Sequence, residues 1–573
     1  MKKYPSIKDE QFYDKIEKIY NQYRIPKDKL TAVKFCKPRQ FKLQEPQEFL
    51  PAYINPKTPY KSVLIYHRIG AGKTCSAIQI AEKWKNKRKI VFVLPASLKG
   101  NFRTELRSQC GGNSYLTNSE RKQLDKYDPD DRRYIDIIKK SDKRIDKVYK
   151  IYSYNKFIEL SQEGNINLNN SILIIDEIQN MVSEKGTYYR ELQNLIHQSA
   201  KNLRVVLLSA TPMFDKPVEI ALTLNLLNPS PNIPTGKEFE NMFIVERKSK
   251  EKVYYSTKNM DKFKNMIKGY VSYYKGAPAY TFPHMSIRYV ECEMSSFQYN
   301  TYKKILKNED NGILQKYPSK AQVINASDLP NNFFIGTRFT SNIVYPNKQV
   351  GDKGIASLND KKIHNELDKY SCKLYKMFKS INRAIGKIFI YSGFKEHAGL
   401  KSIIRVLEAY GYKNYKKHGS GRKRFAVWSG DESSDMKDKI RDIYNKDNNL
   451  YGENLKIILG SPSIKEGVTL KAVRYVHVLE PYWNQSRLEQ VIGRASRFCS
   501  HISLPEDERN VKVYIYIAIH HDAAITVDQY IKKLSVTKNN IIKQFEIAVK
   551  ESAIDCRLNK NANEIGEEQI NCM

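Results

Sequence analysis

The fold is decided by the stretch Val63-Leu64-Ile65-Tyr66-His67-Arg68-Ile69-Gly70-Ala71-Gly72-Lys73-Thr74, in which an apolar run leads directly into a glycine-rich turn. The apolar run has the composition of a buried parallel strand, and Cys75-Ser76-Ala77-Ile78 begins a helical segment after the turn. Glycines in such a turn let backbone N–H groups hold phosphate oxygens, and the helix N-terminus adds the positive end of its dipole. The sequence therefore predicts a nucleotide-phosphate site, although His67 stands where the G-x-x-x-x-G-K-T pattern has its first glycine.

Within this turn, Lys73 is predicted to reach the β- and γ-phosphates, and Thr74 to hold Mg²⁺ through its hydroxyl. The predicted phosphate-binding residues are His67, Arg68, Ile69, Gly70, Ala71, Gly72, Lys73 and Thr74.

Two further apolar runs end in polar residues. Ile172–Ile175 leads into Asp176 and Glu177, which can bind Mg²⁺ and polarise an attacking water, respectively. The next run ends in Ser209, Ala210 and Thr211, and the hydroxyls of Ser209 and Thr211 can bond to carboxylates on the neighbouring strand tip. We expect these residues to transmit the nucleotide state to the other lobe.

A pair of arginines follows in a helix-like stretch that begins at Gln490. Arg494 and Arg497 are three residues apart and share a helical face. Their planar, permanently charged groups suit a γ-phosphate and its transition state, and supplied from a second lobe they would make hydrolysis depend on closure. A basic surface helix is the alternative interpretation.

Apolar strand-like runs alternate with helical segments in both halves of the chain. This alternation predicts βαβ units and two open parallel sheets. The predicted strands are Val63–His67, Lys89–Pro95, Ser171–Asp176, Leu203–Ala210, Lys387–Phe394, Arg424–Gly430, Leu455–Pro462, Tyr475–Pro481 and Val511–Ile519. The middle of the chain is rich in Lys, Tyr and Asn with weak strand signals, so we predict a mainly helical insertion there.

The charge balance points to a polyanionic partner. In 573 residues, 97 basic against 62 acidic residues give a net charge of +35, and nucleic acid is the commonest partner of such a chain. A membrane surface is the alternative, but the sequence shows no basic amphipathic helix with a strong apolar face. No apolar run approaches the roughly 20 residues of a membrane span. The charged start of the sequence argues against a secretory signal. The eight cysteines are scattered without C-x-x-C spacing, so we expect reduced thiols and neither a disulfide framework nor a zinc site.

The order of these motifs resembles that of the superfamily 2 helicases. The matching blocks are His67–Thr74, Leu94–Leu98, Asp176–Gln179, Ser209–Thr211, Ile388–Phe394, Gly460–Leu470 and Gln490–Arg497. The resemblance implies an α/β fold with two RecA-like lobes of the P-loop NTPase type, ATP and Mg²⁺ as cofactors, and a helical C-terminal tail. The block Glu480-Pro481-Tyr482-Trp483-Asn484 resembles the Swi/Snf branch of DNA translocases, which favours DNA over RNA.

The implied domains are an N-terminal extension (1–40), an ATP-binding lobe (41–230), a helical insertion (231–385), a second lobe (386–520) and a helical tail (521–573). The residues implied to act in hydrolysis are Lys73, Asp176, Glu177, Gln490, Arg494 and Arg497. Gln179 stands where relatives often have His, and we expect it to bond to Ser209 or Thr211. Gln47 is the candidate for recognising adenine, with Gln44 as its rival.

The resemblance also places nucleic acid across both lobes, contacting mainly backbone phosphates. The implied contact residues are Pro95, Ala96, Ser97, Ser153, Tyr154, Ser392, Gly393, Phe394, Ser461, Lys465, Glu466 and Gly467. Such contacts position a strand and carry little sequence information.

A narrower resemblance concerns three flanking segments, Thr58–Lys61, Gly269–Tyr274 and Glu551–Cys556. They are similar to ATPases of large cytoplasmic DNA viruses, a group with poxviral nucleoside triphosphate phosphohydrolase I and the early transcription factor small subunit, and to a helicase of yeast linear plasmids. This implies a host-cytoplasmic or virion protein that works with viral RNA polymerase or transcription factor subunits in early transcription initiation or termination. Two alternatives stay open: a promoter- or polymerase-docking factor with incidental ATPase activity, and a replication or packaging motor.

Overall fold

The computed structural model describes residues 4–26, 36, 41–68, 70–127, 131–184, 186–199, 202–213, 215–248, 253–276, 279–310, 312–314, 332–465, 468–564 and 569–573. The strands are β1 (Ser62–His67), β2 (Lys89–Leu94), β3 (Tyr149–Ser153), β4 (Ser171–Ile175), β5 (Arg204–Ser209), β6 (Ile244–Lys248), β7 (Val253–Thr257), β8 (Val271–Tyr274), β9 (His284–Glu293), β10 (Lys387–Tyr391), β11 (Lys413–Asn414), β12 (Arg424–Trp428), β13 (Ile457–Gly460), β14 (Val473–Val478) and β15 (Asn510–Ile519).

The α-helices of the first half are α1 (Phe12–Tyr20), α2 (Glu45–Tyr53), α3 (Lys73–Trp84), α4 (Lys99–Arg107), α5 (Asn118–Leu124), α6 (Arg132–Val148), α7 (Tyr154–Gln162), α8 (Thr187–Gln198), α9 (Val218–Asn225), α10 (Gly236–Phe243) and α11 (Met260–Met266). Those of the second half are α12 (Ser296–Glu309), α13 (Ile335–Asn342), α14 (Gly351–Ser357), α15 (Asp360–Tyr370), α16 (Cys372–Arg383), α17 (Leu400–Ala409), α18 (Tyr415–His418), α19 (Ser434–Asn445), α20 (Gln485–Ile492), α21 (Val527–Glu551) and α22 (Cys556–Asn563).

The first sheet has the strand order β3-β2-β4-β5-β1-β8, and all its pairings are parallel. Every residue of β1 and β4 is buried, as expected for strands covered on both faces by crossover helices. The carboxyl ends of parallel strands meet at one edge, where loops form binding sites. The phosphate turn after β1 and Asp176 after β4 therefore lie at the same edge.

The second sheet has the order β11-β12-β13-β10-β14-β15-β9 and is also parallel throughout. All nine predicted strand runs of the two sheets are present within a few residues of their predicted ends. The prediction of an α/β protein with two parallel-sheet lobes is thus confirmed.

The middle segment contains more strand than its sequence indicated. Its helices α10 to α16 agree with a mainly helical insertion, but β6 and β7 form an antiparallel hairpin, β8 extends the first sheet, and β9 extends the second. The predicted boundaries at 230 and 386 therefore leave out one strand of each sheet. Strand β8 has only four residues, and the polar residues within β9 interrupt the apolar run that marks a buried strand.

The C-terminal tail is helical, as predicted, and it packs against both halves of the molecule. Phe545 of α21 stacks on Phe239 of α10 with ring centroids 5.3 Å apart. Near the start of α21, Asp528 forms a buried ion pair with Lys373 of α16, with 2.6 Å between Oδ2 and Nζ. The tail is thus part of the core that joins the two sheets.

The prediction of reduced, unpaired cysteines was wrong for most of them. Disulfides join Cys36 to Cys499, Cys75 to Cys110 and Cys556 to Cys572, whereas Cys292 and Cys372 are free and buried. The first pair is separated by 463 residues, so only the tertiary fold brings its members together. Among the described residues, no helix combines the length and apolarity needed to cross a bilayer.

Candidate nucleotide site and nucleic-acid face

The phosphate turn requires glycine at Gly72. This residue precedes α3 with φ 72°, and a Cβ atom there would lie 2.2 Å from Nε2 of Gln47. Gln47 Nε2 donates to the Gly72 carbonyl at 3.4 Å, and its Oε1 accepts from the Gln44 backbone N–H at 2.8 Å. Gln47, the candidate for recognising adenine, therefore lies beside the turn, and its rival Gln44 helps to position it.

His67 directs its side chain into the protein. The ring is fully buried, and its Nε2 lies 2.8 Å from Oγ of Ser272 on β8. Burial, together with the charge of Lys73, lowers the pKa of His67 to about 3, so the imidazole is neutral. Because the side chain of His67 points into the protein, only its backbone can make the predicted phosphate contact. Arg68, Gly70 and Ala71 complete the described part of the turn, and Ile69 lies outside the described residues.

Lys73 and Glu177 face each other across this edge of the first sheet. Their Nζ and Oε1 atoms are 3.4 Å apart, and 10% and 23% of the two side chains are exposed. Burial alone would raise the pKa of Glu177, but Lys73, a hydrogen bond from Gln179 and the charge of Arg494 together hold that pKa below its usual value. Glu177 is therefore an ionised carboxylate, held at φ 50° in the left-handed region.

Gln179 connects Glu177 to the end of β5. Its Nε2 donates to Oε2 of Glu177 at 2.6 Å, and its Oε1 accepts from the Ser209 hydroxyl at 2.7 Å. Ser209 Oγ also accepts from the Thr211 backbone N–H at 3.0 Å. The expected bond between Gln179 and Ser209 is present. It connects Glu177 to the segment Ser209-Ala210-Thr211, where the chain leaves the first sheet.

The predicted arginines approach this site from the second sheet. Arg494 is buried, and its positive charge lowers the pKa of Glu177. Burial lowers the pKa of Arg497, while Glu177 acts in the opposite direction. Phe498 follows Arg497 directly, and its Cβ lies 3.1 Å from the position that a Cβ would take on Gly70. The chain after Arg497 therefore lies next to the phosphate turn. Gln490, on α20, is partly exposed.

Thr74 and Asp176 are the oxygen donors predicted for Mg²⁺. Thr74 lies in the first turn of α3 and is partly exposed, whereas Asp176 is buried at the tip of β4. Asp176 Oδ1 accepts from the Glu177 backbone N–H at 3.0 Å. A hydroxyl and a carboxylate are hard oxygen ligands, so this pair has the chemistry that Mg²⁺ requires.

In the first lobe, the predicted nucleic-acid residues follow β2 and β3. Pro95 is buried, whereas Ala96 and Ser97 are exposed in a short 3₁₀ turn. Ser153 and Tyr154 are partly exposed at the junction of β3 and α7. The Tyr154 hydroxyl donates to the carbonyls of Asp176 and Glu177, the latter at 3.0 Å. The predicted nucleic-acid face thus contacts the backbone of the predicted catalytic carboxylates.

In the second lobe, part of the predicted face points into the protein. Ser392 is fully buried, and its hydroxyl bonds to both carboxylate oxygens of buried Glu480 at 3.1 Å. The Gly393 N–H donates to the same carboxylate, so both groups serve an internal partner instead of a phosphate. Phe394 packs edge-on against Phe339, with ring centroids 4.8 Å apart.

The remaining residues of this face follow β13. Ser461 is buried, and its Oγ lies 2.9 Å from Oγ of Ser463. Lys465 ends the 3₁₀ turn Pro462–Lys465. Glu466 and Gly467 lie outside the described residues.

Several residues that shape the site were missed. Ser272 and Asp555 lie behind His67, with the Ser272 hydroxyl donating to Oδ2 of Asp555 at 2.6 Å. Asp215 and Lys538 form a buried ion pair beyond Thr211. These partners are 283 and 323 residues apart in the chain, so no local spacing pattern indicates them.

The comparisons with known proteins agree with this geometry. A family model described as "SNF2-related domain" matches residues 45–336, and one described as "Helicase conserved C-terminal domain" matches residues 370–499. This chain belongs to the SNF2-related superfamily 2 helicases. It is therefore an ATP-hydrolysing enzyme of helicase type, in a family whose helicase domains bind nucleic acid.

Similar proteins occur in large DNA viruses. A protein of Acanthamoeba polyphaga mimivirus, provisionally named an ATP-dependent RNA helicase, is 50% identical over 571 residues, which span 99% of each chain. The termination factor NPH-I homolog of African swine fever virus is 25% identical over 629 residues, covering 96% of this chain and 85% of the viral protein. Among solved structures, the Hef helicase domain of Pyrococcus furiosus is 14% identical with a TM-score of 0.40, covering 82% of this chain and 94% of that one.

Proposed function

We propose that this helicase is a nucleic-acid-dependent ATPase that translocates along nucleic acid, preferentially DNA, in viral transcription. The observation that carries the proposal is the position of Glu177. Glu177 is ionised, and its Oε1 lies 3.4 Å from Nζ of Lys73. The charge of Arg494 in the second lobe lowers the pKa of Glu177, and Gln179 connects Glu177 to Ser209 through two hydrogen bonds. Hydrolysis at this carboxylate would thus depend on groups from both lobes.

The proposed reaction converts ATP and water to ADP and phosphate. Lys73 would leave Glu177 and bind the phosphates of ATP, which frees the carboxylate to orient and polarise the attacking water. Arg494 and Arg497 would stabilise the charge that develops on the transferred phosphoryl group. Thr74 and Asp176 would hold Mg²⁺, which neutralises phosphate charge when it is bound, and Gln47 would recognise adenine. Gln490 is proposed to act with the arginines.

Binding of nucleic acid is proposed for the edge formed by exposed Ala96 and Ser97 and partly exposed Ser153 and Tyr154. The net charge of +35 would add sequence-independent, salt-dependent affinity. The block around Trp483 supports DNA as the track, whereas the mimivirus relative carries an RNA helicase name. The name of the African swine fever virus relative supports transcription termination, and from these viral relatives we infer viral RNA polymerase or transcription factor subunits as partners and the host cytoplasm or virion as the location.

The deciding experiment measures ATP turnover with no nucleic acid, single-stranded DNA, duplex DNA and RNA, in parallel with strand displacement. We expect duplex or single-stranded DNA to stimulate turnover most. Lys73→Ala and Glu177→Gln should remove the stimulated turnover without unfolding the protein. Wild-type turnover in either purified variant would contradict the proposed site, and equal turnover with and without every nucleic acid would contradict the proposed dependence.

The transcription role needs a separate test. Viral RNA polymerase subunits should be recovered with the tagged helicase, and transcription from a viral template should require hydrolysable ATP beyond the need for nucleotides in RNA synthesis. Full activity of the Glu177→Gln variant in that transcription assay would favour a docking factor with incidental hydrolysis. Recovery of DNA polymerase or capsid components would favour a replication or packaging motor.

A further inference from the structure

A buried polar contact joins the two lobes directly behind the Ser209–Thr211 segment. Asp215 follows this segment before α9, and its Oδ1 accepts from Nδ2 of Asn484 at 3.1 Å. The same carboxylate pairs with the ammonium of Lys538. The exposed fractions of Asp215, Asn484 and Lys538 are 6%, 4% and 2%, so solvent screens these contacts little.

The three residues come from three separate parts of the chain. Asp215 belongs to the end of the first sheet that also carries Ser209. Asn484 caps α20, where its Oδ1 accepts from the Arg487 backbone N–H at 3.1 Å, and α20 leads directly to Arg494. Lys538 lies in the middle of the tail helix α21. One carboxylate of the first lobe therefore contacts both the helix that leads to the arginines and the tail helix.

The charges favour the arrangement in which Asp215 contacts both Asn484 and Lys538. Glu219 Oε2 accepts from the Asp215 backbone N–H at 2.8 Å, and the charge of Glu219 also raises the pKa of Lys538. Burial, followed by the charge of Asp215, raises the pKa of Glu219 to about 7, and burial lowers that of Lys538. A buried ammonium without its partner is strongly unfavourable. Moving Asp215 away from Lys538 and Asn484 would thus be unfavourable, because it leaves the buried ammonium of Lys538 without its carboxylate.

We propose that Asn484 and Lys538 are positioning residues for ATP hydrolysis. By holding Asp215, they fix α20 against the first lobe, and this keeps Arg494 and Arg497 within reach of Glu177. Among the described residues, neither Asn484 nor Lys538 contacts the phosphate turn, so each acts through Asp215. The inference rests on the proposed hydrolysis site, and it adds the C-terminal tail to the parts that this site requires.

Asn484→Asp tests the contact with little change in shape. Aspartate is as good a helix cap as asparagine, so α20 keeps its N-terminus, but a second carboxylate now faces Asp215. We expect kcat to fall by about tenfold or more, the effect of losing one buried hydrogen bond at closure. The KM for ATP should change by less than about twofold, because Lys73 and its neighbours are untouched.

The exchange Asp215→Asn with Asn484→Asp is the matched rescue. It places an amide opposite a carboxylate again, and Lys538 retains an acid beside it. We expect kcat to return to within about threefold of the wild type. A folded double variant that stays at the level of Asn484→Asp alone would overturn the proposal.

Lys538 is tested together with its partner. Lys538→Met alone leaves Asp215 as a buried carboxylate without its ammonium and is expected to lower the unfolding temperature, whereas Lys538→Met with Asp215→Asn removes both charges and should fold. We expect low kcat with nearly unchanged KM in that double variant. Wild-type kcat in it, with Arg494→Ala inactive, would overturn the role of Lys538. A wild-type protein that is inactive with every nucleic acid would contradict the proposed function itself.

Discussion

Ser209 donates its hydroxyl hydrogen to Oε1 of Gln179 at 2.7 Å, and the amide of Gln179 donates in turn to Glu177 at 2.6 Å. One side chain therefore separates the end of β5 from the predicted catalytic carboxylate. We predict that Gln179→Leu, which fills the same space without polar atoms, lowers nucleic-acid-stimulated turnover by about tenfold, the effect of losing one hydrogen bond to a charged group. Unstimulated turnover should change by less than about threefold.

Ser209→Ala breaks the same link from its other end. Since Ser209 Oγ also accepts from the Thr211 backbone N–H at 3.0 Å, this variant additionally loosens the turn. We expect its loss of stimulation to match that of Gln179→Leu, and the double variant to be no worse than either single one. Full stimulation in Gln179→Leu, or additive losses in the double variant, would contradict a coupling role.

Tyr154 provides a second test of the route from the nucleic-acid face to the site. Its hydroxyl bonds to the carbonyls of Asp176 and Glu177, and it thereby supports a Glu177 backbone at φ 50°, which is unfavourable for residues other than glycine. We predict that Tyr154→Phe lowers kcat by about tenfold while the KM for ATP stays the same. Tyr152→Phe on β3 is the matched control and should behave as the wild type in the same turnover assay.

The sequence predicted the parts of the site that lie next to buried strands. The phosphate turn, Asp176 with Glu177, and Ser209 with Thr211 each follow a continuous apolar run, and a parallel sheet brings the ends of such runs to one edge. Local pattern and sheet geometry were sufficient there. The bond between Gln179 and Ser209 was expected from the resemblance to the helicases, which often have His at the position of Gln179.

The sequence could not predict partners that are set by the tertiary fold. Ser392 and Gly393 match a family motif, yet the position of Glu480 turns both of them inward. The disulfide between Cys36 and Cys499 likewise depends on the tertiary fold that places these two residues side by side. Neither relationship leaves a periodic signal, because the residues involved are distant in the chain.

The ion pair between Lys373 and Asp528 should be critical for stability. Both side chains are buried, and Lys373 Nζ also donates to Oδ1 of Asn342 at 2.8 Å. We predict that Lys373→Met lowers the free energy of unfolding by about 3–5 kcal/mol, because Asp528 is left as an unpaired buried charge. Adding Asp528→Asn should recover much of that loss. Exposed Lys379→Met on the same helix is the control, with an expected change below about 0.5 kcal/mol in denaturant unfolding.

Asp555 should give the protein a measurable pH dependence. Burial raises its pKa from 3.8 to about 6, against opposing hydrogen bonds from Ser272 and the Tyr273 backbone. Because the folded state holds the proton more tightly than the unfolded state, the stabilisation is complete below about pH 4 and is lost as the pH rises through 6. The shift corresponds to a loss on the order of 3 kcal/mol.

Asp555→Asn removes this titration and keeps a side chain of the same shape. We predict that the wild type loses more stability than the variant between pH 4 and pH 7, with no further divergence above pH 7. His67 titrates in the opposite sense, since its lowered pKa destabilises the fold as the pH falls, but it is present in both proteins. Unfolding midpoints of the two proteins, measured at matched pH values, isolate Asp555 as their difference. Parallel curves across this range would show that the Asp555 carboxyl is not held protonated by the fold.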